Sequence, residues 1–363
     1  MGDMNTKILH IVGNRPQFIK LFPFLKACQE HSFIDNIIVH SGQHYDYEMS
    51  QVFFNDLNIP EPDYSLGVGS GTHGMQTGKM LQGLDSILIK EKPSVVIVYG
   101  DTNTTLAGAL AAYKLNIPVA HVESGMREYI WRPEEINKKI ADHCSDFCFC
   151  PFERAKVNLI KEGIPEEKIF NTGDITYDAF CMSKKLVDGK AKIVIPDEEY
   201  IVLTMHRAET VDVIEELKPI IEALLEIKYA ILYPIHPRTY KKLEMFGLMN
   251  AVIRADHITL LQPQGYFDFL KLLLGSKLVM TDSSGVLKEA FYAKRPCVTL
   301  DCTTEYKEIF DLGYNILAGH QTENILESFD KMLEKELSPF DDNDNPFGDG
   351  HASKRMLQVL LDR

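Results

Sequence analysis

The chain has 363 residues, of which 45% are hydrophobic and 25% charged, and its formal net charge is -14 at pH 7. This length suggests two domains, each large enough to bury its own core. The excess of negative charge argues against nucleic acid as a partner. The sequence has no secretory signal pattern and no apolar run of about 18 residues, so we expect a cytoplasmic protein without a membrane partner.

The seven cysteines are an odd number and lie mostly inside apolar segments. This favours buried, reduced thiols in a reducing compartment. The grouping of Cys144, Cys148 and Cys150 raises the alternative of a metal site. Phe147 and Phe149 alternate with these cysteines as in a buried strand, and no matching second pair exists. The spacing therefore favours a strand, and we predict no metal.

In the first half, short apolar runs alternate with helical stretches, which indicates a parallel α/β sheet. The first predicted strand runs through Gly13-Asn-Arg-Pro16 into a helix. The first amides of that helix have no backbone partner, and with Arg15 and Lys20 they favour an anion site. A tight turn with exposed charged residues would explain the same sequence. A glycine-rich stretch at 67–74 lacks the spacing and the lysine of a P-loop, and we expect a mobile loop over the cleft there.

Three acidic residues are predicted to face one cleft. Asp101 and Glu123 each follow an apolar run, and Glu134 opens a helix after Pro133. The carboxyl ends of parallel strands open onto a common crevice, so these carboxylates should converge. Grouped carboxylates raise the pKa of at least one member, as proton transfer near neutral pH requires. Any one of them alone would be explained equally well as a cap or turn residue.

The second half repeats the alternation of strands and helices without a sequence repeat, which predicts a second, similar fold. His206 directly follows a predicted strand, where catalytic residues collect and where a structural histidine would look the same. Ser283, Ser284 and Gly285 precede a helix, so backbone amides there could approach a diphosphate, with a plain helix cap as the alternative. Glu289 could bind a ribose hydroxyl group.

Phe269 could stack on a base, although its helical spacing favours a place in the core. We expect two doubly wound Rossmann-like α/β domains with the active site in the interdomain cleft. The predicted boundaries are 1–174 for the N-terminal domain and 175–345 for the C-terminal, nucleotide-binding domain. Residues 346–363 should form a closing helix that packs back on the N-terminal domain.

A series of short motifs resembles the non-hydrolysing UDP-N-acetylglucosamine 2-epimerase family nearly from end to end. Each motif is weak alone, and together they are highly specific. They are Gly13-Asn-Arg-Pro16, Gly42-Gln-His44, Gly100-Asp-Thr102, His121-Val-Glu123, Pro133-Glu-Glu135, His206-Arg207, His236-Pro237, Thr281-Asp-Ser283 and Gly348-Asp-Gly350. The resemblance implies a GT-B type fold, a homodimer and no nicotinamide or other cofactor.

The resemblance also implies the reaction. The proton at C2 of the sugar is removed while UDP leaves from C1, and UDP then returns to the glycal with a proton on the opposite face. By position, the matching catalytic residues are Asp101, Glu123, Glu134 and His206, and we expect two of the carboxylates to exchange the C2 proton. The matching substrate-binding residues are Arg15, Lys20, Ser283, Ser284 and Gly285 near the diphosphate, Glu289 at the ribose and Phe269 beside the uracil.

The chain departs from the family pattern at several positions. Ser284 stands where glycine is usual, Leu287 where glutamine is common, and Ser124 where alanine is usual. Asp301-Cys302 replaces an Arg-Asp pair, and this charge reversal near an anionic substrate is worth about 1–4 kcal/mol. These departures bear on the identity of the sugar more than on the reaction.

Four functions are therefore compared. The first is a UDP-N-acetylglucosamine 2-epimerase that supplies a surface polysaccharide precursor, with the same chemistry on UDP-2,3-diacetamido-2,3-dideoxyglucuronate as its variant. The second is a hydrolysing epimerase that releases UDP and free sugar. The others are a retaining glycosyltransferase, which shares the fold, and a nucleotide-sugar binding protein without activity.

Overall fold

The computed structural model describes residues 6–42, 56–337 and 345–363. The chain forms two compact units, the first made of Met1–Met182 with Asp341–Arg363 and the second of Ser183–Phe340. Each unit is built on its own sheet, and the strand pairs described within each sheet are parallel.

The first unit contains a seven-stranded sheet. Its strands are β1 Thr6–Val12, β2 Ile34–His40, β3 Tyr64–Ser65, β4 Val95–Tyr99, β5 Val119–Val122, β6 Phe147–Cys150 and β7 Ile169–Asn171. Its helices up to the division are α1 Arg15–Cys28, α2 His73–Glu91, α3 Asn103–Lys114, α4 Pro133–Cys144, α5 Glu153–Lys161 and α6 Ile175–Lys184, the last of which continues past residue 182. The strand order is β3-β2-β1-β4-β5-β6-β7.

The central strands of this sheet are continuous apolar runs because helices cover both faces. All five residues of β4 are buried. On one face, Val96 and Val98 belong to a core cluster with Leu84 and Leu88 of α2. The strand order reverses between β1 and β4, so their carboxyl ends flank the position where doubly wound sheets bind ligands.

The second unit contains a six-stranded sheet with the order β10-β9-β8-β11-β12-β13. Its strands are β8 Tyr200–Thr204, β9 Ala230–Pro234, β10 Ile258–Leu261, β11 Leu278–Thr281, β12 Cys297–Thr299 and β13 Asn315–Leu317. Its helices are α7 Val187–Lys190, α8 Ala208–Val211, α9 Ile214–Glu226, α10 Pro237–Met245, α11 Met249–Arg254, α12 Tyr266–Gly275, α13 Ser284–Tyr292, α14 Lys307–Asp311 and α15 Thr322–Leu333. The order reverses between β8 and β11, whose carboxyl ends carry His206 and Asp282.

The closing helix α16 spans Ala352–Leu361 and packs against α1 of the first unit. The Asp178 carboxylate of α6 anchors it by accepting hydrogen bonds from the Ala352 amide at 2.9 Å and the Ser353 amide at 2.7 Å. Contacts of this kind group residues 175–182 with the first unit. The boundary predicted from the sequence lies instead at residue 175.

The predicted fold class, two Rossmann-like doubly wound α/β units, is confirmed by these sheets. Two helices begin earlier than the sequence pattern suggests. The Thr72 hydroxyl caps α2 by accepting from the Met75 amide, so the helix includes the end of the glycine-rich stretch. Ser283 caps α13 in the same way through the Val286 amide. Within the described ranges, no helix is long and apolar enough to cross a membrane.

Candidate active site

The turn after β1 is fastened to the turn after β4 by the buried side chain of Gln17. Its carbonyl oxygen accepts from the Gly13 amide at 2.7 Å, and its amide nitrogen donates to the Tyr99 carbonyl at 2.8 Å. Gly13 has no room for a side chain, since a Cβ atom would lie 2.1 Å from Ser41 Oγ and 2.5 Å from Thr104 Oγ1. These contacts fix the start of α1 beside the end of β4.

Glu123 and Lys20 form an ion pair at the ends of these strands. Their side chains are only 12% and 10% exposed, respectively. Glu123 has a φ of 69°, a left-handed conformation that is rare for non-glycine residues and concentrates at functional sites. A Cβ atom on Gly100 would lie 3.6 Å from Glu123 Oε2 and 3.1 Å from Lys20 Nζ, so the pair lies against the turn after β4. Lys20, predicted near the diphosphate, thus contacts a predicted catalytic carboxylate.

Asp101 and Glu134 lie at the same edge of the sheet. The Asp101 side chain is 39% exposed, with Lys138 Nζ at 3.9 Å from its carboxylate. Asn137 donates to the Asp101 carbonyl at 2.9 Å. Residues three and four apart share a helix face, so Glu134, in the first turn of α4, projects from the same face as Asn137 and Lys138. The structure therefore places the three predicted carboxylates at neighbouring strand and helix ends.

A buried histidine, His121, holds the turn that follows β4. His121 Nδ1 lies 2.6 Å from Asp142 Oδ1, and His121 Nε2 lies 2.7 Å from the Gly100 carbonyl oxygen. The carboxylate and the carbonyl oxygen are both hydrogen-bond acceptors, so the ring of His121 is held between two acceptors. Its side chain and that of Asp142 are fully buried. The pair holds the Gly100 carbonyl and with it the turn that carries Asp101.

Asp142 is the centre of a larger buried network that the sequence analysis missed. It accepts from the Ser124 hydroxyl and, at 2.7 Å, from Arg127 Nη2, which also pairs with Glu162 at 2.6 Å. Burial by itself raises the pKa of Asp142, but His121 and Arg127 outweigh burial and hold the pKa below its usual value. A histidine inside the apolar run of β5 was the available signal, although it did not identify its partner.

In the second unit, His206 is fixed by its backbone. The amides of His206 and Arg207 both donate to Asp282 Oδ2, at 2.9 and 2.8 Å. The His206 and His236 rings lie 5.4 Å apart. Burial chiefly, with the charges of His206 and Arg238 in addition, lowers the pKa of His236. The His236 ring therefore favours its neutral form, and its Nδ1 accepts from the Arg238 amide at 3.1 Å.

Two residues that depart from the family pattern, Ser284 and Asp301, both accept hydrogen bonds from Arg207. Its Nη1 donates to Asp301 Oδ2 at 2.6 Å, and its Nη2 donates to the Ser284 hydroxyl. An arginine at position 301 would repel Arg207, and a glycine at position 284 would offer no hydroxyl. The two substitutions are therefore physically linked, and Arg207 joins the ends of β8, β11 and β12. Each departure is visible in the sequence, but this common contact is not.

The start of α13 is open. Gly285 is exposed, and apart from its chain neighbours and the helix backbone the described part of the chain places only Ser283 Oγ, at 3.8 Å, within 4 Å of a Cβ atom there. A helix start with free approach to its amides suits a phosphate group. Glu289 follows about one turn later and is 8% exposed. Phe269 of α12 is 6% exposed, as its helical spacing suggests.

The remaining residues singled out in the sequence lie at the surface, in the core or outside the described ranges. Arg15 is exposed at the first position of α1. Gln43 and His44, which complete one family motif, lie outside the described residues. Cys148 is buried in β6, and burial raises its pKa to about 12. No group of three or more His, Cys, Asp or Glu residues suited to a metal ion occurs in the described part of the chain.

Carboxylates at the switch point of one doubly wound sheet and an open helix start at that of the other are typical of enzymes that act on nucleotide-linked substrates. Comparison with known families narrows this class. The family model described as UDP-N-acetylglucosamine 2-epimerase matches residues 26–361. The chain belongs to this family, whose members are isomerases.

Individual relatives match over almost their whole lengths. A UDP-N-acetylglucosamine 2-epimerase homolog of Methanococcus maripaludis is 46% identical, with 98% of this chain and 99% of the relative covered. A UDP-2,3-diacetamido-2,3-dideoxy-D-glucuronate 2-epimerase of Pseudomonas aeruginosa is 43% identical, with 98% and 99% covered. The crystal structure of Methanocaldococcus jannaschii UDP-GlcNAc 2-epimerase in complex with UDP-GlcNAc and UDP has a TM-score of 0.88 at 42% identity, covering 98% of this chain and all of that one. This likeness confirms the predicted GT-B type fold.

Proposed function

We propose that this protein is a non-hydrolysing UDP-N-acetylglucosamine 2-epimerase that interconverts UDP-N-acetylglucosamine and UDP-N-acetylmannosamine. The observation that carries the proposal is the ion pair of Glu123 with Lys20 beside Asp101, at the switch point of the first sheet. Inversion at C2 needs one group to remove a proton from one face and another to deliver a proton to the opposite face. Neighbouring carboxylates on different elements meet that need.

In this proposal, Lys20 keeps Glu123 ionised and ready to accept a proton, since an adjacent cation favours the charged form of a carboxylate. Asp101 and Glu134 are the candidates for the second proton-transfer group, and His206 is the active-site histidine. UDP binds the second unit, with its diphosphate on Ser283, Ser284 and Gly285. Its ribose meets Glu289 and its uracil lies beside Phe269, while Arg15 adds positive charge at the diphosphate.

The sugar has a second candidate. The Pseudomonas aeruginosa relative is named for UDP-2,3-diacetamido-2,3-dideoxy-D-glucuronate, and its 43% identity is close to that of the relatives named for UDP-N-acetylglucosamine. A cytoplasmic homodimer that supplies a mannosamine-type precursor for a surface polysaccharide is the wider role that we propose. Light scattering of the purified protein checks the dimer.

The test of the reaction is proton NMR of the protein with UDP-N-acetylglucosamine in deuterium oxide. We expect deuterium at C2 and the appearance of UDP-N-acetylmannosamine. Free sugar with UDP would indicate a hydrolysing epimerase instead. Absence of exchange, followed by exchange with the diacetamido-glucuronate substrate, would move the proposal to the second sugar, and absence with both would leave only nucleotide-sugar binding.

Glu123→Gln tests the carboxylate itself. We expect this substitution to abolish deuterium incorporation at C2, because an amide cannot accept the proton. Glu91→Gln is the matched control, since Glu91 also pairs with a lysine, Lys7 at 3.0 Å, and is similarly shielded but lies at the far end of α2. Unchanged exchange in Glu123→Gln would remove this residue from the mechanism.

A further inference from the structure

One oxygen of the Asp282 carboxylate has no hydrogen-bond partner among the described residues. The side chain is fully buried, and Oδ2 accepts the amides of His206 and Arg207. Oδ1 accepts no hydrogen bond from the described part of the chain. His206 Nδ1 lies 3.7 Å from Oδ1, slightly beyond hydrogen-bond distance. The buried carboxylate therefore presents a vacant acceptor to the imidazole ring.

A buried polar atom without a hydrogen-bond partner is unfavourable, and more so when it is charged, so closing this gap is favourable. The His206 side chain is 44% exposed, which leaves its ring room to turn. The backbone of His206 is already held on the same carboxylate. A small rotation about the side-chain torsions is then enough to bring Nδ1 to the distance of about 2.7–2.9 Å that is typical of a charge-assisted hydrogen bond.

The other polar groups described near Asp282 do not form a hydrogen bond with its Oδ1. The Arg207 guanidinium is held by Asp301, and Arg238 pairs with Asp212 at 2.7 Å. The pKa of His236 is lowered, first by burial, so this ring is not a competing cation. The Tyr233 hydroxyl, whose pKa burial and the charge of Asp282 raise, makes no hydrogen bond to either carboxylate oxygen.

We propose that Asp282 is a positioning residue for His206. The carboxylate accepts the proton of Nδ1, which fixes one tautomer of the ring and leaves Nε2 as the nitrogen that faces the substrate. His206 can then accept or return a proton only through Nε2, with the ring orientation set before substrate binds. The consequence for turnover rests on the proposed function, whereas the pairing itself does not.

The experiment is ¹⁵N NMR of histidine-labelled full-length protein without substrate, with Asp282→Asn as the variant. In the wild type we expect His206 as the neutral tautomer protonated on Nδ1. In Asp282→Asn the side-chain amide donates to Nδ1, so the proton moves to Nε2. We expect kcat for the proposed epimerisation to fall by about 10²–10⁴-fold, the range for general acid–base catalysis, with KM changed much less.

Asp268→Asn is the matched control. Asp268 Oδ1 also accepts two consecutive backbone amides, those of Lys192 at 2.6 Å and Ile193 at 2.9 Å, so the same substitution disturbs a similar turn. It should leave the His206 tautomer and kcat at their wild-type values. A change in kcat of the same size in this control would show that Asp282→Asn acts through stability alone.

The wild-type spectrum decides the pairing even if Asp282→Asn fails to fold. A wild-type His206 protonated on Nε2, or an unchanged tautomer in Asp282→Asn, would overturn the proposal. The Nδ1 tautomer in a protein that exchanges no deuterium with either UDP-sugar would support the pairing while refuting the proposed function. The two failures are therefore distinguishable.

Discussion

Ser124, Ser284 and Asp301 replace the residues expected from the family pattern, and each makes a side-chain contact of its own. Ser284 and Asp301 hold Arg207, while the Ser124 hydroxyl donates to Asp142. The departures therefore do not loosen the candidate sites. At these three positions, the side chains form hydrogen bonds where the family pattern has a charged or small residue.

The contact of Ser124 predicts a measurable loss of stability on substitution. Ser124→Ala removes a hydrogen bond to a buried carboxylate, and such charge-assisted bonds contribute about 1.5–3 kcal/mol. We expect the free energy of unfolding to fall by that amount in urea denaturation, while epimerisation stays within a few-fold of wild type because alanine is usual at this position. Asp142 keeps His121 and Arg127 as partners.

Ser145→Ala is the comparison for this prediction. Ser145 is equally buried, but its hydroxyl donates to a neutral acceptor, the Ala141 carbonyl, at 2.7 Å. Its loss should cost only about 0.5–1.5 kcal/mol. Equal losses in the two variants would show that the charge on Asp142 adds nothing to the Ser124 bond.

The lowered pKa of Asp142 predicts a pH dependence of stability. A carboxyl group whose pKa is lower in the folded state than in the unfolded state stabilises the fold above the unfolded pKa of about 3.9 and loses this effect as pH falls through the folded value. Asp142→Asn leaves His121 and Arg127 without their anion, a change that typically costs about 3–5 kcal/mol. The difference in unfolding free energy between wild type and variant should be constant near neutral pH and shrink below about pH 4. A difference that grows on acidification would contradict the ion pair.

At the scale of elements, a substitution at the start of α13 can change UDP affinity without destabilising the fold. Gly285 lies in the first turn of this helix, and apart from its chain neighbours and the helix backbone the nearest described atom to a Cβ position there is Ser283 Oγ, at 3.8 Å. Gly285→Ala should therefore fold normally and gain up to about 1 kcal/mol, because alanine loses less backbone entropy in a helix. UDP affinity, measured by calorimetry, should fall by 10-fold or more, on the order of 1.4 kcal/mol, since a methyl group obstructs close approach to the amides.

Gly78→Ala in α2 is the matched control, because a Cβ atom there likewise meets no obstructing atom among the described residues. It should show a similar gain in stability with unchanged UDP affinity. Unchanged affinity in Gly285→Ala would move the diphosphate away from this helix start.

The strands, and the residues that follow them, could be predicted from the sequence because they are local patterns. Apolar runs predict the strands of both sheets, and a parallel sheet places the residues after each strand at one edge. Asp101, Glu123 and His206 follow from that logic. Their partners do not, since the ion pair of Lys20 with Glu123 joins residues 103 positions apart. A polar residue in an apolar run shows that a partner is needed but not which residue supplies it.

At the scale of the whole molecule, the chain crosses from the first unit to the second and returns, and specific polar contacts hold the start of the returning helix. The Asp178 carboxylate caps the start of α16 by accepting from the Ala352 amide and from the Ser353 amide and hydroxyl. Arg355 adds a hydrogen bond from Nε to the Thr172 carbonyl at 2.8 Å. These polar contacts at its first turn are one part of the attachment of the last helix, beside the buried side chains of Met356 and Leu357 and the hydrogen bond from Arg363 to the Glu167 carbonyl at 2.8 Å.

Asp178→Ala should release this helix. We expect the unfolding free energy to fall by about 2–3 kcal/mol, because three hydrogen bonds to one buried carboxylate are lost. Amide hydrogen exchange should rise selectively in residues 352–361 and in α1, against which α16 packs.

Lys354→Ala is the matched control for Asp178→Ala. It removes an exposed ion pair of the same helix that should contribute little to the stability of its attachment. Lys354 pairs with Glu30 at 2.7 Å, but both side chains are more than half exposed, so solvent screens the pair and we expect no measurable change. If Lys354→Ala loosened α16 as much as Asp178→Ala, attachment would depend on charge along the whole helix. Protection that persists in both variants would instead assign the docking of α16 to its apolar face, where Met356 and Leu357 are buried.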